Sequence, residues 1–343
     1  METLTEREKR ILELIMYNYI HSAEPIGSRT IEKIIKNRLS SATIRNTMSD
    51  LEEKGFIYKP HAVAGRIPTN KAFRYYVDSM ITLKHPGKRT LEVIERLQKP
   101  RYFHIERLME DASRMLADIS KYTSIVVEPR VDMMLFKEIE FVKLSSYTIL
   151  IVFVTSSGMV HTRLVDTEDD LDPEVLYSMK RYMNEKFSGR PFYILKDGIL
   201  NDMQRDKESV NRLLGKIKDT LDTIIDDEAK RDIYIDGTSK MIDFPEFAHI
   251  ERLKELLQAL ERKEKLLSLL DHCLKGEGIS VIIGMETDIR EMRDMSVITS
   301  TYRVGEKSYG ILGVIGPVRM DYSKLIPIVN YTARAVTDIL STM

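Results

Sequence analysis

SSATIRNTMSDLEEKGFIY, residues Ser40–Tyr58, is the stretch from which the rest of the chain can be read. Ser40 or Ser41 suits a helix N-cap. Gly55 suits the residue just past the helix end, because without a Cβ it enters the left-handed region at no steric cost. Ile44, Met48 and Leu51 recur at i, i+4 and i+7, which predicts one narrow buried stripe. At about 100° per residue, Ala42, Asn46 and Ser49 point the opposite way, with Thr43 and Arg45 on the flanks. This outer face is short and polar, and the long side chains of a solvated helix arrive only in the last turn, at Glu52, Glu53 and Lys54. Small and amide side chains beside an arginine can approach base edges in a major groove. An ordinary amphipathic helix is the alternative, and the neighbouring sequence weighs against it.

Upstream, Thr5 and Glu8 form the spacing of a capping box. They open a first helix whose inner face is Ile11, Leu12, Ile15, Tyr19 and Ile20. Glu24–Gly27 breaks it, and Ser28 is expected to cap a second, short helix with core residues Ile31, Ile34 and Ile35. Short helices on tight turns, the third with a small polar outer face, read as helix-turn-helix. Downstream, Phe56–Lys59 reads as a strand, Pro60–Gly65 as a loop and Arg66-Ile67 as the returning strand. A hairpin directly after a recognition helix is a wing. Its tip is expected to bring Lys59, His61 and Arg66 to phosphates or the minor groove, with Gly65 allowing close backbone approach. Taken alone, His61 reads as a surface loop histidine. Thr69 caps a further helix over Asn70–Leu83 that packs through Phe73, Tyr76, Val77, Met80 and Ile81. The candidate DNA-binding residues are therefore Ser41, Ala42, Thr43, Arg45, Asn46, Ser49, Lys59, His61 and Arg66, on a winged helix-turn-helix domain over residues 1–83. Lys84–Arg89, charged and carrying Pro86-Gly87, reads as a linker.

Charge agrees with this placement. Residues 1–89 carry 16 Lys and Arg against 10 Asp and Glu, and the rest of the chain 36 against 43. A positive head on an acidic body points to a polyanion at the N-terminal end only. At 343 residues two or three domains are expected. No apolar run approaches the ~18–20 residues of a membrane span. METLTEREKR has no apolar signal core, and Cys273 is the single cysteine, so a cytoplasmic protein is expected.

The body alternates helix and strand periods. Helices are expected over Leu91–Leu97 and His104–Ser120, then strands at Thr123–Val127, Glu138–Leu144, Tyr147–Thr155 and Gly158–Val165. Residues 166–232 differ in composition, with helices over Leu171–Phe187 and Val210–Ile225 and a short strand at Phe192–Leu195. This segment interrupts a sheet that resumes later and reads as an insertion. Leu213, Leu214, Ile217, Leu221 and Ile225 share one helix face, which is either an internal layer or a dimer face. One long helix is expected from Pro245 to Leu274, strands at Ile279–Gly284, Ser296–Val304 and Ser308–Ile315, and a final helix over Leu325–Leu340. Helices flanking an antiparallel sheet make the chain α+β and multidomain.

The motifs SSATIRN…M…LE..G and AGRIPT…FRYYVD in the head, with IGPVRMDY (Ile315–Tyr322) near the end, resemble the heat-inducible transcription repressor family (HrcA). One departure is Ala62-Val63, where members usually carry a small polar pair after the wing histidine. The resemblance implies a GAF-like antiparallel sheet domain with flanking helices, built from residues 90–165 and 233–343, that holds an inserted helical/β dimerisation domain over 166–232. It also implies a dimeric repressor on an inverted-repeat operator upstream of chaperone genes, with the chaperonin as a second partner. The apolar, β-prone windows Tyr147–Val154, Val281–Ile283 and Ile311–Ile315 suit a chaperonin client.

Catalytic constellations are missing. Gly276-Glu277-Gly278 precedes a strand instead of following one, there is no phosphate-binding loop, and His272-Cys273 lacks further ligands at metal spacing. His272-Cys273 reads instead as a buried helix-end pair. No enzyme activity, metal or cofactor is expected. Gly310, Gly313 and Gly316 followed by Arg319 mark either close strand packing or an anion cradle. Two other readings stay open: a winged-helix regulator switched by a small molecule in the GAF-like domain, and an enzyme with a DNA-binding head.

Overall fold

The structure is a computed structural model that describes residues 3–36, 39–61, 64–99, 105–128, 135–156, 160–168, 170–191, 194–195, 215, 217, 232–274, 278–304 and 308–341. Helix α1 (Glu6–Ser22) begins as the capping box predicts: Glu8 N–H donates to Thr5 Oγ1 at 3.3 Å, and Thr5 N–H to the Glu8 carboxylate at 2.7 Å. In α2 (Ser28–Ile34) the N-cap is Gly27 with no side-chain bond, so Ser28 is already helical and does not cap. Ile34 is 48% exposed while Ile31 and Ile35 are buried. A helix this short packs one edge, and Ile34 lies about 60° round from Ile31.

α3 (Ser41–Glu53) is followed by β1 (Ile57–Tyr58) and β2 (Ile67–Pro68), which pair antiparallel with Ile57 opposite Pro68. α4 (Asn70–Tyr75) is capped by Thr69, as expected. It does not continue to Leu83: a π-helical turn over Tyr76–Met80 is closed by Ile81 N–H to the Tyr76 carbonyl at 2.9 Å. The expected linker is held as well. Lys84 N–H donates to the Ser323 carbonyl at 3.0 Å, the His85 ring lies 2.8 Å from the Tyr331 hydroxyl, and α5 (Lys88–Arg96) starts inside it.

After α6 (Ile105–Ser120), five strands form one antiparallel sheet in the order β7-β3-β10-β9-β8. They are β3 (Thr123–Val127), β7 (Ile233–Asp236), β8 (Ile279–Ile283), β9 (Met295–Val304) and β10 (Ser308–Pro317). Alternate residues enter two cores, because successive strand side chains point to opposite faces. Val126, Ile298, Leu312 and Val314 pack with α6 and the last helix, α10 (Tyr322–Leu340). Ile125, Val297, Ile311 and Ile315 pack with α8 (Ile250–Glu261) and α9 (Lys263–Leu274). The single helix expected from Pro245 is thus two, preceded by a 3-10 turn at Pro245–Phe247. Arg262 leaves the helical region at ψ 79°, and Leu256, Leu260, Leu266 and Leu270 of the two pieces all join the core on one face of the sheet.

β4 (Phe136–Lys143), β5 (Thr148–Thr155) and β6 (Val160–Asp166) form a separate three-stranded meander. Their core, with Phe136, Ile139, Ile151 and Phe153, is completed by Met183 and Phe187 of α7 (Pro173–Phe187) and shares no residue with the larger sheet. The boundary expected between residues 165 and 166 therefore moves upstream: the chain leaves the larger sheet after β3 and returns at β7. β3 is paired on both sides, by β7 and β10, so no edge of it is left for β4. Ile217 is fully buried in this smaller core, not on an outward face. Leu213, Leu214, Leu221 and Ile225 lie outside the described residues, as do Phe192 and Tyr193 of the expected short strand, whose Ile194-Leu195 is helical. Among the described residues no helix is long and apolar enough to cross a membrane.

Head and body share one continuous core, which runs from Ile11, Ile44 and Phe73 to Leu312, Tyr322 and Val329. The Phe73 and Tyr322 ring centroids are 6.2 Å apart. The three glycines near the end are packing positions. A Cβ at Gly310 would lie 2.1 Å from the Tyr302 ring, at Gly313 2.2 Å from the Ile298 carbonyl oxygen, and at Gly316 2.4 Å from the Tyr122 ring. Cys273 is buried and its neighbour His272 exposed, so the expected buried pair is half right.

Candidate nucleic-acid interface

Carboxylate and hydroxyl contacts hold both ends of α3. Ser40 caps it, accepting Thr43 N–H at 3.2 Å. Ser41 N–H donates to Glu32 of α2 at 3.1 Å, and the Ser41 hydroxyl lies 3.4 Å from that of Ser28. At the other end Phe56 N–H returns to the Leu51 carbonyl at 2.9 Å and Gly55 N–H to the Glu52 carbonyl at 3.0 Å, with Gly55 at φ +73°. That is a Schellman ending, and it needs the left-handed residue. Lys54 Nζ reaches Glu8 of α1 at 2.6 Å. Burial pushes the Glu8 carboxyl up, but the Lys54 ammonium and the two bonds from Thr5 outweigh it and hold the group below its usual range.

The buried stripe is Ile44, Thr47, Met48 and Leu51, none more than 4% exposed. Each apolar member contributes about 1.5–3 kcal/mol of burial. Thr47 is the member the apolar spacing missed. Its hydroxyl is satisfied within the helix by the Thr43 carbonyl at 3.0 Å. Ala42, Arg45, Asn46 and Ser49 are exposed on the other side, and Ser41 and Thr43 are half-buried at the helix start. Neither Arg45 nor Asn46 has a hydrogen-bond or ion-pair partner among the described residues. The face turns acidic at Asp50 and Glu53, so its first two turns are the part suited to a polyanion.

The hairpin departs from expectation at its returning strand. Lys59 and His61 are exposed near the tip, but Arg66 lies at the base with its side chain 16% exposed. Its guanidinium is paired with Glu52 of α3 at 2.8 Å, and its backbone is bridged to Ile26 at 2.8 and 3.0 Å. The close approach that Gly65 allows is also internal, since a Cβ there would sit 2.5 Å from the Ile26 carbonyl. Arg66 and Gly65 therefore fix the hairpin to the helices instead of forming its outer tip. Ala62 and Val63 lie outside the described residues. Arg29, which the sequence reading passed over, is exposed in the first turn of α2 beside Ser28 and so next to the start of α3. The signal was available: a cation in the first turn of the helix that precedes α3.

Among the described residues no group of three His, Cys, Asp or Glu side chains is placed to hold a metal ion. A short helix pair and hairpin that present a polar, cationic face from an α+β body make up a regulator of the DNA-binding class. Residues 106–326 match the family described as HrcA protein C terminal domain. The chain is 40% identical over 340 residues to the heat-inducible transcription repressor HrcA of Geobacter sulfurreducens, covering 99% of both. It is 37% identical over 342 residues to that of Syntrophobacter fumaroxidans, covering 99% of this chain and 98% of the relative. A crystal structure titled as a hypothetical protein shares the fold over 99% of both chains, with TM-score 0.60 at 20% identity. The chain belongs to the HrcA family of heat-inducible transcription repressors, which are not enzymes.

Proposed function

We propose that the chain represses transcription by laying α3 in the major groove of double-stranded DNA, as the recognition helix of a winged helix-turn-helix head. The observation that carries this is the division of α3 into a stripe at most 4% exposed and an opposite face where Arg45 and Asn46 stand free of partners among the described residues. Ala42 and Ser49 keep the backbone close to base edges, and Ser41, Thr43, Lys59 and His61 supply contacts at the phosphates. Arg66 supports the wing.

In this reading the five-stranded sheet and its helices are the GAF-like domain, and the smaller β4–β6 unit with α7 is part of the inserted dimerisation domain. Two heads on a two-fold axis read an inverted repeat. The chaperonin is the second partner. β3 pairs with β7 and β10, strands far along the chain, so these pairings form late and expose apolar, β-prone windows such as Ile311–Ile315 while they do so. Such a chain loses operator binding when chaperonin is occupied by other clients.

The test is operator binding by the purified full-length chain, with and without chaperonin, after heating and return to a permissive temperature. Recovery of binding that depends on chaperonin is the expected result. Full recovery without it would remove the chaperonin from the mechanism. Failure to prefer the operator over random DNA would remove the repressor geometry.

A further inference from the structure

We infer that Arg74 and Arg319 are positioning residues: they lock the DNA-binding head on the larger sheet domain and so set the half-site spacing that a dimer accepts. The inference rests on the dimeric reading above. It starts from two motifs, FRYYVD and IGPVRMDY, whose arginines touch no part of the proposed DNA face.

Arg74, from α4, forks onto the body. Its Nε donates to Glu286 at 2.7 Å, its Nη2 to the Val281 carbonyl at 2.6 Å and to the second Glu286 oxygen, and its Nη1 to Asp78 at 3.2 Å. Glu286 is itself fixed by the Ile283 N–H at 2.9 Å. Arg319 reaches the other way, from the turn after β10 to the head. It donates to the Ile20 carbonyl in the last turn of α1 at 3.2 Å, while Glu246 grips its remaining nitrogens. That carbonyl belongs to a helix end, where it lacks an intrahelical partner and carries partial negative charge. The two arginines thus cross the junction in opposite directions, Arg74 from head to body and Arg319 from body to head.

The Arg74 and Glu286 side chains are 32% and 39% exposed, and a pair this wet adds little stability; Arg319 and Glu246, at 12% and 24%, are the drier pair. The shared apolar core holds the head on the body. What a planar guanidinium fork adds is direction, because it accepts only one orientation of its partners. The connection 81–87 forms neither helix nor strand, and Lys84 and His85 tie it to Ser323 and Tyr331 of α10. Steric fit agrees: a Cβ at Gly284, beside Glu286, would lie 2.5 Å from the Asn70 amide of the head.

The experiment compares full-length wild type with Arg74→Ala/Arg319→Ala on three duplexes: the operator, the operator with five base pairs added between half-sites, and a single half-site. Five base pairs turn one half-site to the opposite face of the duplex. Two linked modules gain about 10²–10⁴-fold only when both can engage. Wild type is expected to lose about tenfold or more on the lengthened operator, and the double variant less than about threefold, with equal half-site affinity for both. Glu286→Gln changes only the body and keeps the side-chain shape, so its flattened spacing response would carry the same conclusion should the double variant fail to fold. A spacing response identical to wild type in every folded variant would overturn the inference. Wild type that binds the operator no tighter than a half-site would instead overturn the dimeric reading, and this inference with it.

Discussion

Asn46→Ala is the sharpest probe of the proposed groove face. Asn46 is exposed in the second turn of α3 and its side chain has no hydrogen-bond partner among the described residues, so truncating it deletes nothing the fold uses. Alanine is also the better helix former, and surface substitutions of this kind stay within about 0.5 kcal/mol of wild-type stability. A lost amide contact to a base edge costs about 1–3 kcal/mol of specific binding. At about 1.4 kcal/mol per factor of ten, operator affinity should fall roughly 5- to 150-fold. Ile44→Ala, two residues away on the fully buried side, should do the reverse, with about 2–5 kcal/mol lost from stability before any effect on DNA. The assay is titration of labelled operator and of random duplex at fixed salt, beside thermal unfolding of each variant. Unchanged operator affinity in a folded Asn46→Ala protein would refute the assignment. Equal loss on both duplexes would turn Asn46 into a phosphate contact.

Gly65→Ala should loosen the hairpin, because its Cβ would meet the Ile26 carbonyl at 2.5 Å. The cost is about 1–3 kcal/mol, visible as faster hydrogen exchange at the Arg66 and Ile26 amides, and wild-type exchange there would contradict it. Acidification should weaken the seat of α3. Glu8 is held below its ordinary value of 4.5, so the stability it contributes is present above that pH and is lost as pH falls through its folded value. Lys54→Met should flatten this acid limb in pH-dependent unfolding, and an unaltered limb would mean the pair is not its source. Excision of residues 129–231 is practicable because Glu128 N–H already donates to the Asp232 carbonyl at 3.2 Å. The rejoined chain should sediment as a monomer, and a persistent dimer would move the interface to the larger domain.

The sequence by itself determined what depends on near neighbours. The caps at Thr5 and Thr69, a cap at Ser40 or Ser41, the i, i+4, i+7 stripe of Ile44, Met48 and Leu51, and the left-handed Gly55 were all legible, because each is settled within a turn or two of backbone. Most β-runs of the body were legible as strands for the same reason, but β7 (Ile233–Asp236) was not, and Ile194-Leu195, expected as strand, is helical. Periodicity names an apolar face but not what covers it. Only tertiary structure decided that Arg66 turns in to Glu52, that Gly65 makes room for Ile26, and that Arg74 and Arg319 reach across the junction. It also decided that β4–β6 join α7 and not the larger sheet, since β3 already had β7 and β10 on its two edges. A long cationic side chain or a strand edge can be satisfied by many partners at similar local cost, so the choice falls to residues that are distant in the chain and close in the fold.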